Sequence, residues 1–193
     1  ANKLIRNDGG NVFTALTSGP LGDTGNGTGV AWADYDNDGD LDLYVANYGT
    51  ANKLIRNDGG NVFTALTSGP LGDTGNGTGV AWADHDGDGD LDLYLVNDGQ
   101  SNKLLRNDLP GGNHWLHLDL VGTASNSSAI GARVRLVAGG ATQIQEVSGG
   151  SGYFSQNSLT VEFGLGAATV ADSVVIRWPS GTVQTHVGVN ANQ

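Results

Sequence analysis

An internal repeat constrains the fold of this chain more than any other feature. Residues 1–34 recur letter for letter as residues 51–84, so that the period is 50 residues. A third copy starts at Ser101 with the letters SNKLLRND and stops near Leu109. A period of this length is typical of solenoids, propellers and arrays, in which each unit buries its apolar face against the next. We therefore expect units that stack on one another.

Each repeat contains four short segments that are rich in β-branched and aromatic residues and are separated by Gly, Asn and Asp. In one unit these segments are residues 29–33, 42–46, 53–56 and 62–66. The spacing predicts four strands per repeat, and no segment has the period of an amphipathic helix. Four antiparallel strands in ~40 to 50 residues match one propeller blade. The predicted fold is therefore all-β, with propeller-blade-like four-stranded repeats.

The sequence pattern changes close to residues 110–112, where a Pro-Gly-Gly segment interrupts the third copy. Further strand-like segments follow, and they are broken by Gly pairs or by the letters Pro-Ser-Gly. We expect residues 1–110 to form a partial blade, a full blade and a second partial blade. Residues 111–193 are predicted to form a compact C-terminal β domain that resembles a sandwich or a barrel.

Charge and composition exclude several classes of function. The 193 residues include 9 Lys and Arg against 20 Asp and Glu, for a formal net charge of −11. Because nucleic acids and anionic lipids attract clustered Lys and Arg, we expect no nucleic-acid partner. No apolar run approaches the ~18 to 20 residues that cross a bilayer, so no membrane insertion is expected. The absence of Cys excludes thiolate metal sites, and the absence of Met suggests a processed or excised chain.

Acidic residues are crowded into two loops, residues 34–42 and 84–92, which hold 10 of the 20 Asp and Glu. Both loops have the pattern D-x-D-x-D-G-D-x-D. Carboxylates at this density repel one another unless a hard cation neutralises them. Calcium takes about six to eight oxygen ligands in flexible geometry, whereas the strict octahedron of magnesium suits fewer carboxylates. We therefore predict about two structural Ca²⁺ ions, one in each loop.

The spacing within each loop also predicts the ligands. Positions 1, 3, 5 and 9 offer side-chain carboxylates, the Gly at position 6 permits a sharp turn, and position 7 offers its backbone carbonyl. The predicted side-chain ligands are Asp34, Asp36, Asp38, Asp42, Asp84, Asp86, Asp88 and Asp92, and the predicted carbonyl donors are Asp40 and Asp90. Position 12 is not Glu, and strands flank the loop, so the motif is not an EF-hand. The alternative is a solvated acidic turn without an ion.

Other residue types predict little chemistry. The sequence has no nucleophile elbow, no P-loop and no Cys, and its four His stand in no known acid–base signature, so we expect no enzyme. Possible N-glycosylation sites occur at Asn26, Asn76 and Asn126. Trp32 and Trp82 precede the two acidic loops in apolar strands, and we expect both to pack in a core.

The repeats resemble the FG-GAP and VCBS repeats, β-propeller units of the integrin-α type. The likeness rests on the letters GVAWADYDNDGDLDLYVAN, NKLIRNDGG and VFTALT. The region from His114 to Val189 resembles the ASPIC/UnbV domain, which follows such repeats in the cartilage acidic protein family. The letters that carry this second likeness are GARV at 131–134, GYFSQ at 152–156, FGLG at 163–166 and WPSG at 178–181. The resemblance implies secretion, calcium binding and an adhesion or matrix role, and no established catalytic activity.

The sequence therefore predicts a non-enzymatic, calcium-binding structural or adhesive protein that is extracellular or lies at the cell surface. Propellers of this type close with about seven blades, whereas this chain has two acidic hairpins, so apolar blade faces and an unpaired edge would be exposed. Stacked copies would bury these surfaces, and we expect a homo-oligomer or a filament. The alternative is a receptor-like module that binds a glycan or an extracellular protein through the propeller face or the C-terminal domain.

Overall fold

The computed structural model describes residues 2–150, 152 and 155–193. It confirms the all-β prediction, because the described residues form fifteen strands in five small sheets and only two 3₁₀ turns, Gly19–Leu21 and Gly69–Gly72. Tyr153 and Phe154, which carry part of the likeness at 152–156, lie outside the described residues. Within the described part of the chain, no helix is long and apolar enough to span a membrane.

The repeat region contains three antiparallel sheets of two, four and three strands. Their strands are β1 (Leu4–Gly9) and β2 (Val12–Leu16), then β3 (Gly27–Ala33), β4 (Asp42–Asn47), β5 (Lys53–Asn57) and β6 (Phe63–Leu66), then β7 (Gly77–Ala83), β8 (Asp92–Asn97) and β9 (Lys103–Leu105). In each sheet the strands lie in sequence order, as in a meander. The four predicted segments of the repeat match β3 to β6 with their ends displaced by at most two residues.

Neighbouring repeat sheets pack through apolar side chains that alternate along the strands. Tyr44, Leu54 and Leu95 are fully buried between the sheet β3–β6 and the sheet β7–β9. Trp82 belongs to the same cluster, is 2% exposed, and meets Tyr44 edge to face at 6.3 Å between ring centroids. Trp32, its copy one repeat earlier, is 39% exposed. The core prediction was therefore right for Trp82 and wrong for Trp32, because the two-stranded sheet β1–β2 offers no counterpart of Tyr44.

The C-terminal region is a sandwich of two antiparallel sheets, as predicted. Its strands are β10 (His114–Leu118), β11 (Arg133–Ala138), β12 (Ala141–Glu146), β13 (Val161–Gly166), β14 (Val170–Arg177) and β15 (Val183–Asn190). β10 pairs with β13, and the larger sheet has the order β12-β11-β14-β15. Apolar residues of both sheets, among them Leu116, Leu136 and Phe163, form one buried core.

The smaller sheet of the sandwich lies against the repeats. The backbone N–H of Gly166 in β13 donates to the carbonyl of Asn37 at 2.9 Å, and the N–H of Ser158 donates to the carbonyl of Trp82 at 3.1 Å. The side chain of Asn113, just before β10, donates to the carbonyl of Asp36 at 2.9 Å. The two acidic loops therefore lie at the junction between the repeats and the C-terminal sandwich.

Candidate metal centres

Each acidic loop closes a hairpin between the first two strands of a repeat sheet. Asp42 is the register partner of Ala33 in the first hairpin, and Asp92 is the register partner of Ala83 in the second. Gly39 and Gly89 at loop position 6 have φ angles of 100° and 93°, which lie in the left-handed region that favours Gly. Both glycines therefore permit the sharp turn that the sequence pattern predicted.

Backbone N–H groups orient two carboxylates inside the first loop. Asp34 is 3% exposed, and its carboxylate accepts hydrogen bonds from the N–H groups of Asp38 at 3.0 Å and Gly39 at 2.9 Å. Asp42 is 0% exposed and accepts hydrogen bonds from Tyr35 at 3.1 Å and Asn57 at 2.8 Å. The loop thus wraps around its first and last carboxylates.

The second loop repeats this arrangement with different partners. Asp84 accepts hydrogen bonds from the N–H groups of Gly87 at 2.8 Å and Gly89 at 3.0 Å. Asp92 accepts hydrogen bonds from the N–H groups of His85 at 3.0 Å and Asn107 at 2.8 Å. Both copies of the loop therefore hold the carboxylates at their first and last positions with backbone hydrogen bonds, although Asp84 is only half-buried.

The structure brings three carboxylates together in each loop. In three groups, one candidate ligand atom from each residue lies within 4.8 Å of the others; the groups are Asp34, Asp36 and Asp42, then Asp84, Asp86 and Asp88, then His85, Asp86 and Asp92. Among the predicted ligands, Asp38 falls outside the first group and Asp92 joins His85 instead of Asp84. The side chain of Asp90, a predicted carbonyl donor, accepts hydrogen bonds from Asn37 and Leu109, while Asp40 is exposed.

Burial makes the first loop unfavourable for charged carboxylates. It raises the pKa of Asp34 to about 8, and the nearby charges of Asp38 and Asp42 add to this rise against an opposing hydrogen bond from Gly39. Burial likewise raises the pKa of Asp42 to about 7. The pKa values of Asp36 and Asp38 are also raised, chiefly by burial. Without a neutralising cation, the carboxylates of Asp34 and Asp42 would therefore hold protons near neutral pH.

Nearby cationic side chains make the second loop different. The ring Nδ1 of His85 lies 2.7 Å from a carboxylate oxygen of Asp92, and this hydrogen bond raises the pKa of His85. Burial favours a higher pKa for Asp92, but hydrogen bonds from Asn107 and His85 outweigh it and lower the value. Nε of Arg106 lies 3.2 Å from the carboxylate of Asp86. The sequence pattern missed His85 and Arg106, although His85 is visible as the residue that replaces Tyr35 at loop position 2.

The donor set of the first loop fits calcium. One carboxylate oxygen of Asp36, Oδ1, is buried and has no hydrogen-bond partner among the described residues. It belongs to the group of three carboxylates, and a buried anionic oxygen without a partner is costly. Every donor of the group is an oxygen atom, which is the ligand type that calcium prefers, and the loop offers further backbone carbonyls. The residues that would hold the ion are Asp34, Asp36 and Asp42.

The C-terminal sandwich approaches both loops closely. A Cβ atom on Gly164 in β13 would lie 2.0 Å from the Asp34 carboxylate, and one on Gly89 would lie 2.0 Å from the ring of Trp115. Nδ1 of His117 lies 3.6 Å from the carboxylate of Asp84. Sequence reasoning missed these contacts, because residues 26 or more positions apart that meet only through tertiary packing carry no mutual signal in a single sequence.

Glu162 in β13 is a half-buried carboxylate of this junction. It is the register partner of His117, and its carboxylate accepts a hydrogen bond from the hydroxyl of Ser158 at 2.7 Å. Burial raises the pKa of Glu162 to about 7, and the charge of Asp84 adds to the rise. His117 has a pKa lowered by burial. The sandwich therefore places two titratable side chains next to the second loop.

The possible glycosylation sites differ in accessibility. Asn26 and Asn126 are exposed, whereas Asn76 is half-buried. The side chain of Asn126 donates to the carbonyl of Ile130 at 2.9 Å and accepts from its N–H at 2.8 Å. Of the three, the side-chain amide of Asn26 is therefore the least constrained by burial and by contacts with described residues. Glycosylation of these sites stays a prediction.

Comparison with protein families covers most of the chain. Residues 1–45 and 34–95 match the FG-GAP-like repeat family, and residues 122–193 match the ASPIC and UnbV family. A search of curated proteins gave no match. The matched ranges contain both acidic loops and the strands β11 to β15. The chain therefore contains a region similar to FG-GAP-like repeats, followed by a region similar to the ASPIC and UnbV family.

Proposed function

We propose that this chain is a non-enzymatic, extracellular calcium-binding module with a structural or adhesive role, and that it self-associates into a larger assembly or filament. FG-GAP-like repeats and the ASPIC and UnbV domain suggest a β-propeller-like extracellular module. The single observation that carries the calcium part is the buried, unpartnered Oδ1 of Asp36 within a group of three carboxylates. Calcium would neutralise this group and cross-link the two ends of the loop.

The chain's own residues support a structural role for these centres. Hydrogen bonds from the loop backbone already fix Asp34 and Asp42, and the loop ends are held by the pairing of β3 with β4. Metal catalysis needs an open coordination position, whereas a loop rich in carboxylates and carbonyls can saturate its ion. We therefore assign the loops to stabilisation of the hairpins.

Exposed apolar side chains support the self-association part of the proposal. In the sheet β1–β2, Ile5 is 51% exposed, Val12 is 58% exposed and Phe13 is 61% exposed. On the three-stranded sheet, Tyr94 and Leu104 are 44% and 48% exposed. Contiguous apolar surface of this kind marks interaction sites on soluble proteins.

The calcium part is tested with the double variant Asp36→Ala, Asp86→Ala. We expect its melting temperature in calcium to fall to the value that the unchanged protein shows with a chelator, because ligand binding to the folded state alone stabilises it. Differential scanning calorimetry measures both values. The control is Asp98→Ala, which removes an exposed carboxylate outside the loops. Equal melting of the unchanged protein with calcium and with chelator would contradict the proposal.

A second candidate function is supported by an open cleft of about 750 Å³ at the junction of the two loops with the linker. Its lining includes Asp36, Asp88, Asn113 and Trp115. An accessible indole beside amide and carboxylate groups suits a sugar, so the chain would act as a receptor-like module for a glycan. Retention of a sugar on a glycan array by the monomeric protein, lost on Trp115→Ala, would favour this candidate over self-association.

A further inference from the structure

The outer face of the larger C-terminal sheet carries an unusual group of arginines. Val134 and Leu136 of β11 point into the sandwich core and are fully buried, so the alternating residues Arg133 and Arg135 point outward and are exposed. Arg177 at the end of β14 is exposed on the same outer face, since its register partner is Arg133. We call Arg133, Arg135 and Arg177 the arginine face.

The arginine face brings like charges together. Arg133 and Arg177 are directly opposite each other across an antiparallel pair, where Cα atoms lie about 4.5–5.5 Å apart. Arg135 follows two residues along β11, on the same side of the sheet. Like charges directly opposite each other destabilise a sheet. Glu146 is the register partner of Arg133 on the other side, yet no described carboxylate lies within 4.0 Å of any of the three guanidinium groups.

Basic residues of the repeats behave differently. Arg6, Arg56 and Arg106 each form an ion pair with an Asp two positions further along the chain. Lys53 and Lys103 pair with Asp23 and Asp73. Five of the six cations of the repeats therefore form ion pairs with Asp, whereas the three guanidinium groups of the arginine face form none among the described residues.

Apolar side chains complete the arginine face and extend it across the sheet. Val183 is the register partner of Arg177 and is 51% exposed, while Val187, four residues further along β15 and on the same face, is 74% exposed. Ile144 is the register partner of Arg135 and is 49% exposed. A surface that combines guanidinium groups with exposed apolar side chains has the composition of an interface, in which Arg is enriched.

The other half of the same sequence carries the complementary charge. Residues 1–110 contain 16 of the 20 acidic residues and 6 of the 9 basic ones. Two Ca²⁺ ions in the proposed centres would bring the formal net charge of the chain from −11 to −7, so the repeats would stay acidic. We propose that the arginine face docks on the acidic repeat surface of a second copy of this chain. This inference rests on the proposed self-association and names the surface through which it occurs.

Such a contact joins two different surfaces of one chain. A heterologous contact of this kind leaves the repeats of one copy and the arginine face of the other unused, so that further copies add in the same direction. The product is a ring if the rotation closes and a filament if it does not. Because the attraction is electrostatic at exposed groups, it weakens with salt.

The test compares the variant Arg133→Gln, Arg135→Gln, Arg177→Gln with the control Thr123→Glu, Ala124→Glu, Ser127→Glu. Both variants change the net charge by −3, but the control changes exposed loop residues that are not part of the arginine face. Sedimentation velocity in calcium is recorded at about 0.1 M and about 1 M salt, between which the Debye length falls from about 10 Å to about 3 Å. Unchanged melting of each variant shows that it folds.

We expect the unchanged protein and the control to form large species at the lower salt concentration and to dissociate at the higher one, and the arginine variant to associate at least tenfold more weakly. Equal association of the arginine variant would overturn the assigned surface while leaving self-association intact. A monomeric unchanged protein in every condition would overturn self-association itself. If that monomer binds a heparin column through the three arginines, the face recognises a sulfated polysaccharide and the docking of a second copy is wrong.

Discussion

At the scale of single residues, identical letters acquire different chemistry from their neighbours. Asp42 and Asp92 hold the same position in two copies of one loop, and each accepts two backbone hydrogen bonds. The pKa of Asp42 is raised to about 7 by burial, whereas the effect of burial on Asp92 is outweighed by hydrogen bonds from the backbone of Asn107 and from the backbone and ring of His85, which lower its pKa. The substitution of His85 for Tyr35 at loop position 2 therefore gives Asp92 a side-chain partner that Asp42 lacks.

The pKa values of the first loop predict how the stability of the calcium-free protein depends on pH. Its folded-state pKa values of about 8 for Asp34 and about 7 for Asp42 exceed the ordinary value of 3.8. Since these two groups bind more protons in the folded than in the unfolded state, their contribution to stability is fully present below about pH 4 and is lost as pH rises to about 8. Melting temperatures in chelator between about pH 5 and pH 8.5 measure this slope.

Calcium and a matched variant provide the controls for this pH dependence. Bound cations favour the ionised carboxylates, so we expect the slope to flatten in saturating calcium. The variant Asp34→Asn, Asp42→Asn lacks the two titrating groups and should show a flatter slope in chelator as well. A melting temperature that rises with pH in the chelated, unchanged protein would show that these carboxylates are not buried as described.

At the scale of strands and loops, the acidic hairpins support the C-terminal sandwich. The two loops contact each other, because the side chain of Asn37 donates to the carbonyl of Gly89 at 3.2 Å and to Asp90 at 3.1 Å. β13 lies on this pair of loops through Gly164 and Gly166. A change that disorders the first loop must therefore also disturb the packing of the smaller sheet against the loops.

We expect calcium removal to loosen this junction without unfolding the sandwich. The amide of Gly166, whose hydrogen bond to Asn37 crosses the junction, should exchange at least tenfold faster with chelator than with calcium. The amide of Leu136 lies within the core of the larger sheet and serves as the internal control. Hydrogen exchange measured by NMR reports both amides. Equal exchange of the Gly166 amide with calcium and with chelator would show that calcium in the loops does not stabilise the packing of the sandwich against the repeats.

The strands were predictable from the sequence, whereas the junction was not. Alternation of apolar residues and the Gly, Asn and Asp breaks located β3 to β6, because both signals lie within a few residues of each other. The loop carboxylates were found for the same reason. The approach of Gly164, His117 and Glu162 to the loops depends on tertiary packing between segments distant in the chain, and a single sequence holds no pattern for it.

At the scale of the whole molecule, buried Asp residues join successive sheets. Asp23 accepts hydrogen bonds from the backbone and side chain of Asn2, before β1, and pairs with Lys53 at the start of β5. Asp73 likewise accepts a hydrogen bond from the backbone of Asn52 and pairs with Lys103 at the start of β9. We call the contacts of Asp23 and the contacts of Asp73 the two joints. Each joint links one sheet to the next.

The joints predict unequal costs for equivalent substitutions. Lys53→Met leaves the carboxylate of Asp23, whose side chain is 3% exposed, without its cation, and we expect the free energy of unfolding to fall by about 3–5 kcal/mol. Lys103→Met should cost less, because the side chains of Lys103 and Asp73 are 42% and 9% exposed. Chemical denaturation measures both changes.

A compensating variant distinguishes the ion pair from simple loss of packing. Asp23→Asn combined with Lys53→Met removes both charges, and we expect it to be more stable than Lys53→Met alone. If the changes in the free energy of unfolding caused by the two substitutions are additive, Asp23 and Lys53 do not form an ion pair that holds the sheets together.

The joint has a further consequence, because it recurs with the same spacing as the repeated letters. Duplication of one more 50-residue unit would add a complete blade together with the joint that connects it to the previous blade. Lengthening by duplication therefore requires no new interface. The same identity has a cost during synthesis and refolding. A blade can pair with the wrong neighbour, one whole unit out of place, and the identical letters of residues 1–34 and 51–84 do not distinguish the two pairings.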